Sequence, residues 1–121
     1  MLIKILTPQE IFNKVVIGLR KQGCRSTCNG DRFECAYRGD NGAKCPTGML
    51  ILDEFYTPDL EDRISSHELV MDVLEKSGIN RLHGPLVDIL QTIHDCCGVD
   101  EWEEEWAVLA NLYGLSVPPK E

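Results

Sequence analysis

The chain is short of positive charge, short of histidine, and without a long apolar run. It carries 12 Lys and Arg against 20 Asp and Glu, a formal net charge of -8. That balance argues against direct nucleic-acid binding, because phosphate neutralisation by Lys and Arg supplies most of such affinity. No stretch approaches the ~18 consecutive apolar residues that a membrane span needs. The opening MLIKILTPQEIF has too short an apolar segment, and no small-residue cleavage site, to serve as a secretory signal. A cytosolic setting with reduced thiols is therefore expected. No internal repeat or low-complexity tract is present. A complete catalytic or ligand-binding signature is missing too.

What remains is a 121-residue chain with 43% apolar and 26% charged residues, the composition of one globular domain with a core large enough to need no staples. The spacing predicts a single unit over residues 1–117 and a short tail at 118–121. Charge is unevenly placed. Residues 1–50 carry eight Lys/Arg against four Asp/Glu, and residues 51–121 carry four against sixteen. Such an acidic half suits a basic partner, or serves solubility.

Thr7-Pro8-Gln9-Glu10 combines an N-cap hydroxyl, a first-turn proline and a capping-box glutamate, and predicts a helix over 8–22 that ends at Gly23. Residues 23–32 read as a polar loop. Phe33–Arg38 and Ala43–Cys45 flank Asn41-Gly42, a strong hairpin signal because both residues tolerate positive φ. Pro46 should interrupt pairing. Met49–Leu52 fits either a buried strand or one helical turn. Three further helices are expected: one from a capping box at Ser65–Glu68 towards Gly78, one opened by Gly84-Pro85, and one from a capping box at Asp100–Glu103 to Gly114. The expected fold class is thus α+β, with about four helices packed on a small β-hairpin or sheet.

The six cysteines allow several chemistries. Cys24, Cys28, Cys35 and Cys45 supply enough thiolates for a structural zinc site, although they lack the paired C-x-x-C knuckles of the strong signatures. The alternative is that Cys35 and Cys45 are small buried hydrophobes and Cys24 and Cys28 belong to a loop. A Cys35–Cys45 disulfide conflicts with hairpin geometry, because no short loop around Asn41-Gly42 sets the two opposite each other. Vicinal Cys96-Cys97 could form a strained redox ring, and two reduced thiols are the plainer reading. For nucleophilic catalysis the candidates are Cys45, which precedes Pro46 and could instead stand at a helix N-terminus that would lower its pKa, and His94 or His67 as base. His94 ends an apolar helix, where a structural role competes. Tyr37 and Arg38 precede the tight turn; the guanidinium could grip a phosphate or carboxylate, or pair internally with Asp53 or Glu54. The run Asp100–Trp106 places Glu103 and Glu104 beside Trp102 and Trp106, either as a partner-binding face or with both indoles in the core.

Tyr37 to Asp53, YRG-x-x-G-x-KC-x-x-G-x-LI-x-D, resembles a family of small uncharacterised proteins encoded by bacteriophages, prophages and bacteria. Glu10–Val15 is similar to that family's short opening helix, and Leu90–Asp95 to its LQ-x-x-HD motif, which a Trp-containing acidic helix follows. The likeness spans most of the chain. Pro46 and Leu52 depart from the usual pattern, and Cys24, Cys28, Cys96 and Cys97 lie outside it. The resemblance implies an accessory protein of the bacterial cytosol that binds a host protein, as an inhibitor, counter-defence factor or host-takeover adaptor. Beside it stand an enzyme or small-molecule binder built on Arg38, Cys45 and His94, and a small zinc module.

Overall fold

The computed structural model describes residues 3–28 and 31–120, with residue 28 and residues 31–34 as backbone alone. Five α-helices make up its described framework: α1 (Pro8–Gln22), α2 (Pro46–Leu50), α3 (Glu68–Lys76), α4 (Gly84–Cys96) and α5 (Trp102–Tyr113). α1 forms as its sequence predicts. The Thr7 hydroxyl accepts from Glu10 N at 3.1 Å, and Glu10 Oε1 accepts from Thr7 N at 3.0 Å. Gly23, at φ +71, donates back to Leu19 O and closes the helix. Ile11, Phe12, Val15, Val16 and Leu19 are all buried, one stripe at 3.6-residue spacing.

α4 is central, packing against α1, α2 and α5. Leu86, Val87, Leu90, Ile93 and His94 fill its inner face. Capping departs from expectation at two helices. α3 is capped by His67, whose Nδ1 accepts from Leu69 N at 3.1 Å, while the Ser65 hydroxyl donates to Asp88 instead. α5 follows a single 3-10 turn in which Glu101 accepts from Gly98 N at 2.7 Å. Beyond Gly114 the chain returns along α1. Gln9 exchanges two hydrogen bonds with the Ser116 backbone, at 2.8 and 2.9 Å, and Arg20 donates to Pro118 O at 2.8 Å.

The expected α+β architecture is overturned: the fold is helical, and among the described residues no β-hairpin is seen packed on the helices. The turn itself exists, with Asn41 at φ +58 and Gly42 at φ +78. Its flanks, however, make only an isolated bridge between Arg38 and Lys44. Two backbone bonds cross the turn, Gly39 N to Ala43 O at 2.8 Å and Cys45 N to Tyr37 O at 3.3 Å, and the pairing extends no further because the donors beyond them go elsewhere. Tyr37 N and Arg38 N donate to the Glu61 carboxylate at 2.9 and 3.1 Å, and Ala36 N donates to Ser26 O. Cys45 then caps α2, so Pro46 opens a helix rather than interrupting a strand. Met49–Leu52, left open between strand and helical turn, begins in α2. Among the described residues the only ladder is β1 (Thr27–Cys28) against β2 (Asp31–Cys35), two short antiparallel segments with a register shift. Thr27 and Cys35, the ladder residues whose side chains are described, are half-buried and lie outside the core.

Two glycines explain how the central segment lies so close to its neighbours. A Cβ at Gly39 would stand 2.3 Å from Thr27 O, and one at Gly48 would stand 2.0 Å from Tyr37 O. Neither site admits a side chain.

Candidate functional site

The site grows from the inner edge of α4, where Gln91, His94 and Asp95 share a face at i, i+3 and i+4 spacing. His94 is fully buried and stacks on Trp102, with ring centroids 5.7 Å apart. Its Nε2 accepts from Ser26 N at 3.0 Å, and its Nδ1 lies 2.7 Å from Asp95 Oδ1. A backbone N–H can only donate, so Nε2 carries no proton and the neutral ring holds its hydrogen on Nδ1, facing the carboxylate. Asp95 also accepts from Gln91 Nε2 at 3.0 Å, and a carboxylate oxygen lies within 4.8 Å of the Cys35 sulfur. Gln91 Oε1 accepts from Thr47 N at 3.0 Å, and the same side chain reaches Cys45. One polar network thus joins α4 to the segment from Ser26 to Thr47.

Cys45 occupies the N-cap of α2, where its sulfur accepts from Gly48 N at 3.4 Å. Position alone would favour a thiolate. Burial dominates instead and pushes the Cys45 thiol up to about 12. Cys35, half-buried beside Asp95, is pushed up to about 11, by burial first and by the carboxylate second. Neither is an activated nucleophile at neutral pH. His94 offers no free basic nitrogen, since Nε2 is engaged by Ser26.

Arg38 is engaged as fully. Nη1 pairs with Asp53 at 2.7 Å, Nη2 donates to Ile51 O at 2.8 Å and Gly48 O at 3.3 Å, and the guanidinium lies 4.6 Å from the centre of the Tyr56 ring. Its Nε is buried without a partner among the described residues. The internal pairing with Asp53 is the one anticipated as the alternative to ligand binding. Tyr37 is buried, and its hydroxyl donates to Arg63 O; burial, then the charges of Cys45 and Glu61, raises its pKa. Trp102 and Trp106 are core residues, 2% and 1% exposed. Both indole N–H groups are buried without a partner among the described residues. Glu103 forms a forked pair with Arg20, at 2.7 and 2.8 Å, which lowers the carboxyl's pKa. Glu104 alone of these candidates stands exposed.

The four-cysteine set weighed as a zinc site does not come together among the described side chains. Cys24 is exposed, Cys45 is buried, and the Cys28 side chain lies outside the described residues. A different trio comes together: one ligand atom each from Cys35, His94 and Asp95, all within 4.8 Å of one another. These are zinc-type donors. The hydrogen bonding opposes that use, because a metal-bound histidine normally gives its second ring N–H to an acceptor, and here the second nitrogen faces a donor. A metal on Nδ1 would require an imidazolate or loss of the Ser26 bond.

Two depressions border the network. A cleft of about 300 Å³ is lined by Cys35, Tyr37, Glu61, Asp88, Gln91 and Asp95, among others. An open groove of about 1040 Å³ lies between the end of α1 and the Asp40–Gly42 turn, with Lys21, Cys24 and Arg25 on its walls. Sequence reasoning assigned no role to Glu61, Gln91 or Ser26. Gln91 was visible inside LQ-x-x-HD, whereas Glu61 and Ser26 carry no local signal. Among the family models, curated proteins and solved structures compared with this chain, none matches it.

Proposed function

We propose that the chain is a binding protein rather than a catalyst, an accessory of a phage or mobile element that engages a host protein in the bacterial cytosol as an inhibitor, counter-defence factor or adaptor. The origin rests on the sequence resemblance. The binding role rests on one observation: each group that an enzymatic or small-molecule reading requires has its reactive atoms buried or bound internally. Cys45 is held as a thiol, His94 Nε2 accepts from Ser26, and Arg38 is divided between Asp53 and two carbonyls. Removal of such groups should therefore affect folding and leave no chemistry to lose. The acidic half, residues 51–121, adds a field suited to a basic partner.

The test is capture of host proteins on the immobilised chain, followed by reconstitution of the complex from purified components and calorimetry. A stoichiometric complex that Cys45→Ala retains is expected. Failure of every captured protein to re-form a complex, or a turnover abolished by Cys45→Ala, would reject the reading.

A further inference from the structure

We infer that the outer face of α5 is the docking surface for a helical partner segment that is basic at one end and apolar at the other. The inference rests on the binding reading above and names the surface and partner chemistry. With Trp102, Trp106, Leu109 and Ala110 turned into the core, the opposite side of the helix is centred on Glu104, Val108 and Leu112, one turn apart. Val108 is 54% exposed and Leu112 75% exposed. The small Ala107 and the polar Asn111 lie exposed beside them and leave the apolar pair accessible.

Charge is graded along this face. Glu104 has no ion-pair partner among the described residues, in contrast to Glu103 and its forked arginine. Trp102–Tyr113 contains no Lys or Arg, so nothing on the helix offsets the carboxylates of its first turn. The face is therefore acidic in its N-terminal half and apolar in its C-terminal half. A partner helix complements it when Lys or Arg meets Glu104 while Leu-like side chains pack on Val108 and Leu112, a helix-on-helix contact with a charged end and an apolar end.

The α5 helix of a second copy does not complement this face. Parallel pairing of two α5 helices brings Glu104 against Glu104. Antiparallel pairing about Val108 buries each Glu104 carboxylate against the other copy's Leu112. Both arrangements leave charge uncompensated, which favours a basic partner over symmetric pairing through α5.

The probe is a synthetic helical peptide with lysines along one half of a face and leucines along the other; its control replaces lysine by glutamate. Fluorescence anisotropy should show saturable binding of the basic peptide and none of the control. Glu104→Lys should weaken binding at least tenfold at low salt and less at high salt, because the contact is screened. Leu112→Ser should weaken it at least tenfold at both. Circular dichroism melting confirms that the variants are folded, as expected for exposed positions. Failure of wild type to bind the basic peptide, or equal binding by both variants, would overturn the surface. A reconstituted host complex unaffected by both substitutions would also overturn it, and would leave the binding role standing.

Discussion

The motif-bearing layer and the outer face of α5 are opposites in how their polar groups are satisfied. In the first, Gln91, His94, Asp95, Arg38, Glu61 and Cys45 bond to one another or to backbone across gaps of up to 68 residues. In the second, a carboxylate and two large apolar side chains face outward with no internal partner. The residues that look most chemical in the sequence build the molecule, and a helix face of ordinary composition is what it leaves free. Buried polar networks of this kind fix one arrangement of chain segments, and here the network replaces the sheet that the turn signal suggested.

The difference can be broken most severely at Gly48. Its Cβ would lie against the Tyr37 carbonyl, so Gly48→Ala should cost roughly 4 kcal/mol or more, a large share of the stability of a domain this size. Urea denaturation measures it. His94→Leu comes next. It keeps the volume but leaves Ser26 N and Asp95 without their shared partner, for a loss of roughly 3 kcal/mol. A substitution tolerated at either position would mean that the network contributes little.

A milder test uses alkaline pH. Cys45 and Cys35 titrate at about 12 and about 11 in the folded chain, against an ordinary value of 9.0. An unfolded chain therefore releases these protons first as pH rises above 9, and the folded state, which retains them, loses stability from there towards pH 12. Cys45→Ala should flatten that decline, measured as unfolding midpoint against pH. The smallest expected effect belongs to the free face: Glu104→Lys and Leu112→Ser should each change stability by no more than ~0.5 kcal/mol, while both impair docking.

Legibility in the sequence follows the range of the forces involved. α1 could be read to the residue because its cap, proline and Gly23 act within one turn. The indoles of α5 and the Arg38–Asp53 pair were each anticipated as one of two alternatives, again from spacing along a short stretch. The hairpin failed for a non-local reason. Asn41 and Gly42 do adopt positive φ and Gly39 N bonds across the turn to Ala43 O, and yet the donors from Ala36 to Arg38 are taken by Glu61, more than twenty residues away, and by Ser26. Cys45 was expected on the flank of the hairpin, with a helix start raised only for its possible role as a nucleophile; it stands at the start of α2, and its reactivity depends on burial, which spacing does not encode. Of the four cysteines weighed for zinc, Cys24 is exposed and Cys45 buried, the Cys28 side chain lies outside the described residues, and Cys35 meets His94 and Asp95 instead, a grouping that spacing along the chain does not encode.

The central claim is that His94 is a neutral strut between Ser26 and Asp95, and its imidazole nitrogens report this directly. In a protein carrying ¹⁵N-labelled histidine, the ring resonances at neutral pH should show a proton on Nδ1 and none on Nε2, unchanged by one equivalent of Zn²⁺. A proton on Nε2, or signals that move to a metal-bound position on adding zinc, would contradict the account.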